Sequence, residues 1–158
     1  MEFDAVATEL LAKARAKSVT VATAESCTGG LIAASLTEIP GSSDVFERGF
    51  VTYSNQAKIE MLGVGERTLS KYGAVSEEVA KEMAEGALRN APASLSVSVT
   101  GIAGPGGSEF KPEGRVCFGL ARSGAPTLVE TVEFGAIGRS EVRKSATQHA
   151  LSLLESAI

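Results

Sequence analysis

A chain of 158 residues with 44% apolar side chains can bury one substantial core, so a single domain over residues 1–158 is expected. A formal charge of −4 and an isoelectric point near 5.1 exclude a bulk electrostatic attraction to nucleic acid or to an anionic membrane surface, so any anionic ligand must be held by local groups. Cys27 and Cys117 have neither C-x-x-C partners nor neighbouring histidines. With no charged-then-apolar leader and no long apolar run, the chain reads as cytoplasmic, with reduced thiols.

Helical and strand periods alternate along the chain, which predicts an α/β layered domain with a mixed β-sheet flanked by helices. Phe3, Val6, Ala7, Leu10, Leu11 and Ala14 recur at helical spacing and predict an amphipathic first helix. Residues 19–24 read as a strand. Gly29 and Gly30 precede an apolar run that predicts a buried second helix ending near Pro40 and Gly41. Residues 46–53 read as a strand, and Asn55–Leu62 as a short helix closed by Gly63. Ser76 followed by Glu77 and Glu78 is an N-cap with two acids in the first turn, predicting a long helix to about Asn90 with Val79, Met83, Ala87 and Leu88 on its apolar face.

Further on, Leu95, Val97 and Val99 alternate with Ser94, Ser96, Ser98 and Thr100. That period of two marks a strand whose second face is so small that something must pack close to it. Val116, Phe118 and Leu120, then Leu128, Val132 and Phe134 after the turn at Gly124, predict an antiparallel hairpin. A last helix from about Ser140 carries Val142, Ala146, His149, Ala150, Leu153 and Ala157 on one face.

Three segments crowd polar or glycine residues at a strand end, where chemistry is to be sought. In residues 24–30 (A-E-S-C-T-G-G), Ser26 stands at a helix start, where backbone N–H groups can stabilise an oxyanion and a hydroxyl can attack. The spacing is not G-x-S-x-G, so this is no α/β-hydrolase elbow. The competing reading is that Ser26 or Thr28 caps the helix. Residues 52–58 (T-Y-S-N-Q-A-K) supply Tyr53 and Lys58 as proton acceptors. The lone histidine, His149, falls on an apolar stripe and argues against a Ser-His-Asp arrangement. The competing reading of Lys58 is a solvated surface lysine. Residues 100–107 (T-G-I-A-G-P-G-G) form a glycine-rich turn that can bring backbone N–H groups to an anion, although the spacing fits neither a Walker loop nor G-x-G-x-x-G. An ordinary wide turn explains it equally well.

In this order the three segments resemble the CinA C-terminal domain family. Residues 72–76 (Y-G-A-V-S), Lys111-Pro112 with Gly114, and the Arg139-x-x-x-Arg143 helix fit the same pattern, so the resemblance covers essentially the whole chain. It implies hydrolysis of the carboxamide of nicotinamide mononucleotide to nicotinate mononucleotide and ammonia, in pyridine nucleotide recycling, with no metal or other cofactor. By the same resemblance Ser26 is the nucleophile, Lys58 the base and Tyr53 a residue that relays or orients the proton. N–H groups of Cys27, Thr28 and Gly29 are the implied oxyanion hole. The loop carrying Thr100, Gly101, Gly104 and Gly106, with Arg139 or Arg143, is the implied phosphate site.

The arginine pair one turn apart is equally explained as a subunit or carboxylate contact. Only the amidohydrolase half of the larger family members is inferred, and a small-molecule nucleotide substrate and a homo-oligomer are expected. The alternatives are a nucleotide-binding regulatory module without chemistry, and a thiol hydrolase using Cys27 at the same helix start.

Overall fold

In the computed structural model, which describes residues 2–108 and 110–158, the alternating elements assemble into helices on both faces of one sheet. In chain order they are α1 (Asp4–Ala16), β1 (Val21–Glu25), α2 (Leu31–Thr37), a 3-10 turn (Ser42–Asp44), β2 (Phe46–Val51), α3 (Asn55–Leu62), α4 (Glu66–Tyr72) and α5 (Glu77–Arg89). There follow β3 (Leu95–Gly101), β4 (Arg115–Arg122), β5 (Leu128–Glu133) and α6 (Arg139–Ser156). The strand order is β2-β1-β3-β4-β5. β1 runs parallel to β2 and β3, and β4 runs antiparallel to β3 and to β5, giving the expected hairpin in a mixed sheet.

The alternation in β3 sets the two faces. Leu95, Val97 and Val99 enter a core shared with Leu10 and Leu11 of α1, Ile32 and Leu36 of α2, Phe118 of β4, and Leu151 and Leu154 of α6. Each fully buried aliphatic side chain there stabilises the fold by about 1.5–3 kcal/mol. The serines of the other face donate to the backbone of α5: Ser96 Oγ to Ala84 O at 2.7 Å and Ser98 Oγ to Ala80 O at 2.5 Å. A Cβ on Gly119 would lie 2.5 Å from the Ala80 carbonyl oxygen, so α5 packs directly on sheet backbone, the close approach the small residues predict. Ala22, Ala24, Leu62, Val64, Val79, Met83 and Ala87 fill the second core on this side.

The Ser76 cap and the Gly63 stop are as expected, and Ser54 is a further cap. Ser54 Oγ accepts from Ala57 N–H at 3.0 Å and Ser76 Oγ from Val79 N–H at 3.2 Å, while Gly63 closes α3 with φ +70°. Other elements depart from expectation. β1 is displaced so that Glu25 is its last residue, and α2 ends at Thr37 with only Ile32, Ser35 and Leu36 buried. α4 carries no apolar stripe and buries no residue, so periodicity gives no sign of it. It is instead moored by Glu82, which accepts from Gly65 N–H and Thr68 Oγ at 2.8 Å each. The buried face of α6 is Val142, Ala146, Thr147, Ala150, Leu151 and Leu154, which leaves His149 at the stripe's edge, half-buried against Phe118 and Phe134 and paired with Glu130.

Candidate active site

Because β2, β1 and β3 are parallel, their C-terminal ends lie at one edge of the sheet, and the segments following them meet there although they are far apart in sequence. The result is a cleft of about 370 Å³. Ser26 and Cys27 line it from the end of β1, Tyr53, Asn55 and Lys58 from the end of β2 and α3, residues 100–108 from the end of β3, and Arg139 from the start of α6. Ala74 and Val75 complete the wall.

Lys58 is only 1% exposed, which excludes a solvated surface role. Its Nζ donates to Ser26 Oγ at 3.0 Å and to Thr52 O at 2.9 Å. α3 places it there: the Ser54 cap starts the helix, and Lys58 one turn later points inward beneath the β1–α2 turn. Ser26, 8% exposed, keeps its hydroxyl at the cleft surface, and its own N–H is held by Val99 O at 2.9 Å. A hydroxyl and a buried amine at hydrogen-bond distance, open to a cleft, have the spacing that a nucleophile and its base require.

The turn after Ser26 differs from its expected use. Gly29 N–H donates to Ser26 O at 3.0 Å, and neither Thr28 nor Gly29 lines the cleft. Gly29 is therefore withdrawn from an oxyanion hole, because its donor is already spent. Cys27 N–H and Thr28 N–H donate to no acceptor among the described residues, and Cys27 is the one of the two that lines the cleft. The start of α2 is occupied by the chain's own Glu25 carboxylate, which accepts from Gly30, Ile32 and Ala33 N–H and from Thr28 Oγ.

The two arginines separate. Arg139 lines the cleft, donating to Tyr53 Oη and to Gly104 O at 2.7 Å each. Arg143 lies outside it and braces the turn from behind, with Nε donating to Cys27 O at 3.1 Å and Nη2 to Thr28 O at 3.4 Å, so it is not placed to hold a ligand phosphate. Of the glycine-rich turn, Thr100 Oγ donates to Ala74 O at 2.9 Å, and Gly106 N–H donates to Glu113 Oε1 at 2.6 Å. Gly101 is required by crowding, since a Cβ there would stand 2.7 Å from Val116 Cγ2 and 3.1 Å from Cys27 Sγ. Gly104 adopts φ +90° and a Cβ on it would meet the Glu113 carboxyl at 2.5 Å. Lys111 donates to Tyr72 O and Val75 O at 2.6 Å each, fixing the opposite wall.

Burial pushes the Cys27 thiol up to about 12, so at neutral pH it is not a thiolate, and the thiol-hydrolase alternative loses its nucleophile. His149 lies away from the cleft lining. Among the described residues no group of three or more His, Cys, Asp and Glu side chains is arranged to hold a metal ion, and no helix is long and apolar enough to cross a membrane. Sequence reasoning missed Asn55, Ala74, Val75 and Ser108 as lining residues, and Glu25 and Glu113 as carboxylates beneath the two turns. Each sits beside or inside a segment already singled out, so proximity to those segments was the available signal.

Comparison with known proteins gives the family. Residues 3–158 match the CinA C-terminal domain. The chain is 53% identical over 141 residues to the nicotinamide-nucleotide amidohydrolase PncC of Escherichia coli K12, covering 89% of this chain and 85% of the relative. It is 49% identical over 144 residues to a putative competence-damage inducible protein of Caldicellulosiruptor saccharolyticus, of which it spans 34%, about a third of that longer protein. The crystal structure of the competence/damage inducible protein CihA from Agrobacterium tumefaciens superposes with a TM-score of 0.94 at 46% identity, over 99% of this chain and 95% of that one. This chain belongs to the CinA C-terminal domain family.

Proposed function

We propose that the chain hydrolyses the carboxamide of nicotinamide mononucleotide to nicotinate mononucleotide and ammonia, in pyridine nucleotide recycling. The observation that carries the reading is the Ser26–Lys58 pair at 3.0 Å in a cleft, in a chain 53% identical to a nicotinamide-nucleotide amidohydrolase. Lys58 Nζ takes the proton of Ser26 Oγ as that oxygen attacks the carboxamide carbon. The oxyanion that forms is met by Cys27 N–H, a backbone donor at the cleft wall. Lys58 returns the proton to the leaving nitrogen, ammonia departs, and an ester on Ser26 remains. Water then attacks this ester with Lys58 again as base, releasing the carboxylate product and restoring the hydroxyl.

Substrate placement falls to the rest of the cleft. Among the described residues, Lys58 and Arg139 are the cations that line it, and Lys58 is committed to the serine, so Arg139 is the partner of the phosphate. Tyr53, whose hydroxyl accepts from Arg139, orients that guanidinium, an orienting role in place of a proton relay. The same reading puts the reaction in the cytoplasm. The test is ammonia release from nicotinamide mononucleotide by purified protein, with product identified as the nicotinate nucleotide. Binding of the nucleotide without any release would instead favour the regulatory-module alternative.

A further inference from the structure

Glu25 is fully buried, lies next to the nucleophile, and takes no part in the reaction steps above, on whose reading this inference rests. Its backbone is clamped from both sides: it is in register with Val51 of β2 and Val99 of β3, and Thr52 N–H donates to its carbonyl at 2.9 Å. Its carboxylate reaches forward across the turn. Oε1 accepts from Thr28 Oγ at 2.7 Å, Gly30 N–H at 3.2 Å and Ile32 N–H at 3.0 Å, and Oε2 accepts from Ala33 N–H at 3.0 Å. The chain can turn back within that span because Gly29 and Gly30 adopt φ +58° and +102°. Ser26 therefore stands on an arch whose first foot is a strand end and whose second foot is the start of α2, with one side chain joining the two.

We propose that Glu25 is a positioning residue that holds Ser26 Oγ in line with Lys58 Nζ. A carboxylate is the group the site demands, because four donors converge on it and it is acceptor-only. Glutamine of the same length must turn an NH₂ toward at least one of those donors, which forces the arch to shift. Glu25 does not line the cleft, so a shift leaves substrate binding almost untouched while it misaligns the attacking oxygen. Displacements of about 1 Å at a reacting group are enough to cost roughly a hundredfold in rate.

Two readouts on the full chain test this. In Glu25→Gln, kcat for nicotinamide mononucleotide falls by at least about thirtyfold while KM stays within about threefold. The rate at which a fluorophosphonate modifies Ser26, followed by intact mass, falls by the same factor. In that reaction the Oγ–P bond forms, the P–F bond breaks, fluoride leaves and the serine proton passes to Lys58. The second readout needs no nucleotide. If the native protein releases no ammonia yet Glu25→Gln still slows phosphonylation, the substrate reading fails and the positioning role stands. If Glu25→Gln is less stable but keeps both rates within twofold of native, the positioning role is overturned. Should Glu25→Gln not fold, Glu25→Asp, which keeps an acceptor-only group but one methylene short, is expected to show a smaller loss in both rates, and native rates in it overturn the proposal.

Discussion

The Tyr53 hydroxyl accepts a hydrogen bond from Arg139 at 2.7 Å, and the same guanidinium reaches Gly104 O at 2.7 Å, so one α6 side chain ties the two walls of the cleft together. Arg139 is then both the brace of the cleft and its available cation. Arg139→Ala is expected to lower kcat/KM for nicotinamide mononucleotide by about ten- to a hundredfold, the equivalent of roughly 1.5–3 kcal/mol for one charge-assisted contact, and to affect nicotinamide riboside far less. In the native protein the riboside is expected to react poorly. Equal losses for nucleotide and riboside would show that Arg139 only braces the cleft.

Ser26→Ala is expected to remove turnover by several powers of ten with the fold intact, since no acyl intermediate can form without the hydroxyl. Cys27→Ala is expected to retain it. Rates of ammonia release from the two variants, beside thermal denaturation of each, decide the matter, and the opposite pattern sinks the serine scheme.

Thiol chemistry gives an independent check with a definite sign. With burial pushing Cys27 up to about 12, the thiolate population at pH 8 is about one in ten thousand, and the thiolate is the species that alkylates. Iodoacetamide at pH 8 should therefore leave Cys27 unlabelled in the folded protein and leave ammonia release unchanged. Labelling should appear only on unfolding, which peptide mass mapping reports.

Lys58→Arg keeps a positive charge at position 58 but cannot give up a proton in any useful pH range, so it should be nearly as inactive as Lys58→Ala. With the native lysine as base, the rate should rise with pH as the neutral amine is formed, because only the neutral form can take the Ser26 proton. A pH–rate profile with substantial arginine-variant activity would leave position 58 contributing charge alone.

Gly119→Ala tests the packing of α5 on the sheet. The added Cβ would stand 2.5 Å from Ala80 O and 2.6 Å from Ser98 Oγ, so backbone must move. A loss of roughly 1–3 kcal/mol is expected, read as a fall in the denaturation midpoint. An unchanged midpoint would mean that α5 is free to yield.

Local chemistry in the sequence determined the layered α/β class, the Ser76 cap, Gly63 as a stop, the small face of β3 and the β4–β5 hairpin, because each depends on side-chain period or on one residue's backbone preference. The segments holding Ser26, Lys58 and the glycine-rich turn were also legible, as breaks in those periods. Whether Lys58 is a solvated or a buried amine was not, since the answer lies in the β1–α2 turn above it, more than thirty residues away in the chain. The same holds for the arginines. Arg139 and Arg143 are one turn apart on α6, yet one faces the cleft and the other the carbonyls of Cys27 and Thr28. The glycines after Ser26 looked like an open anion site, and tertiary structure filled it with Glu25, because a strand that ends one residue later than its apolar pattern suggests aims a carboxylate at the helix start.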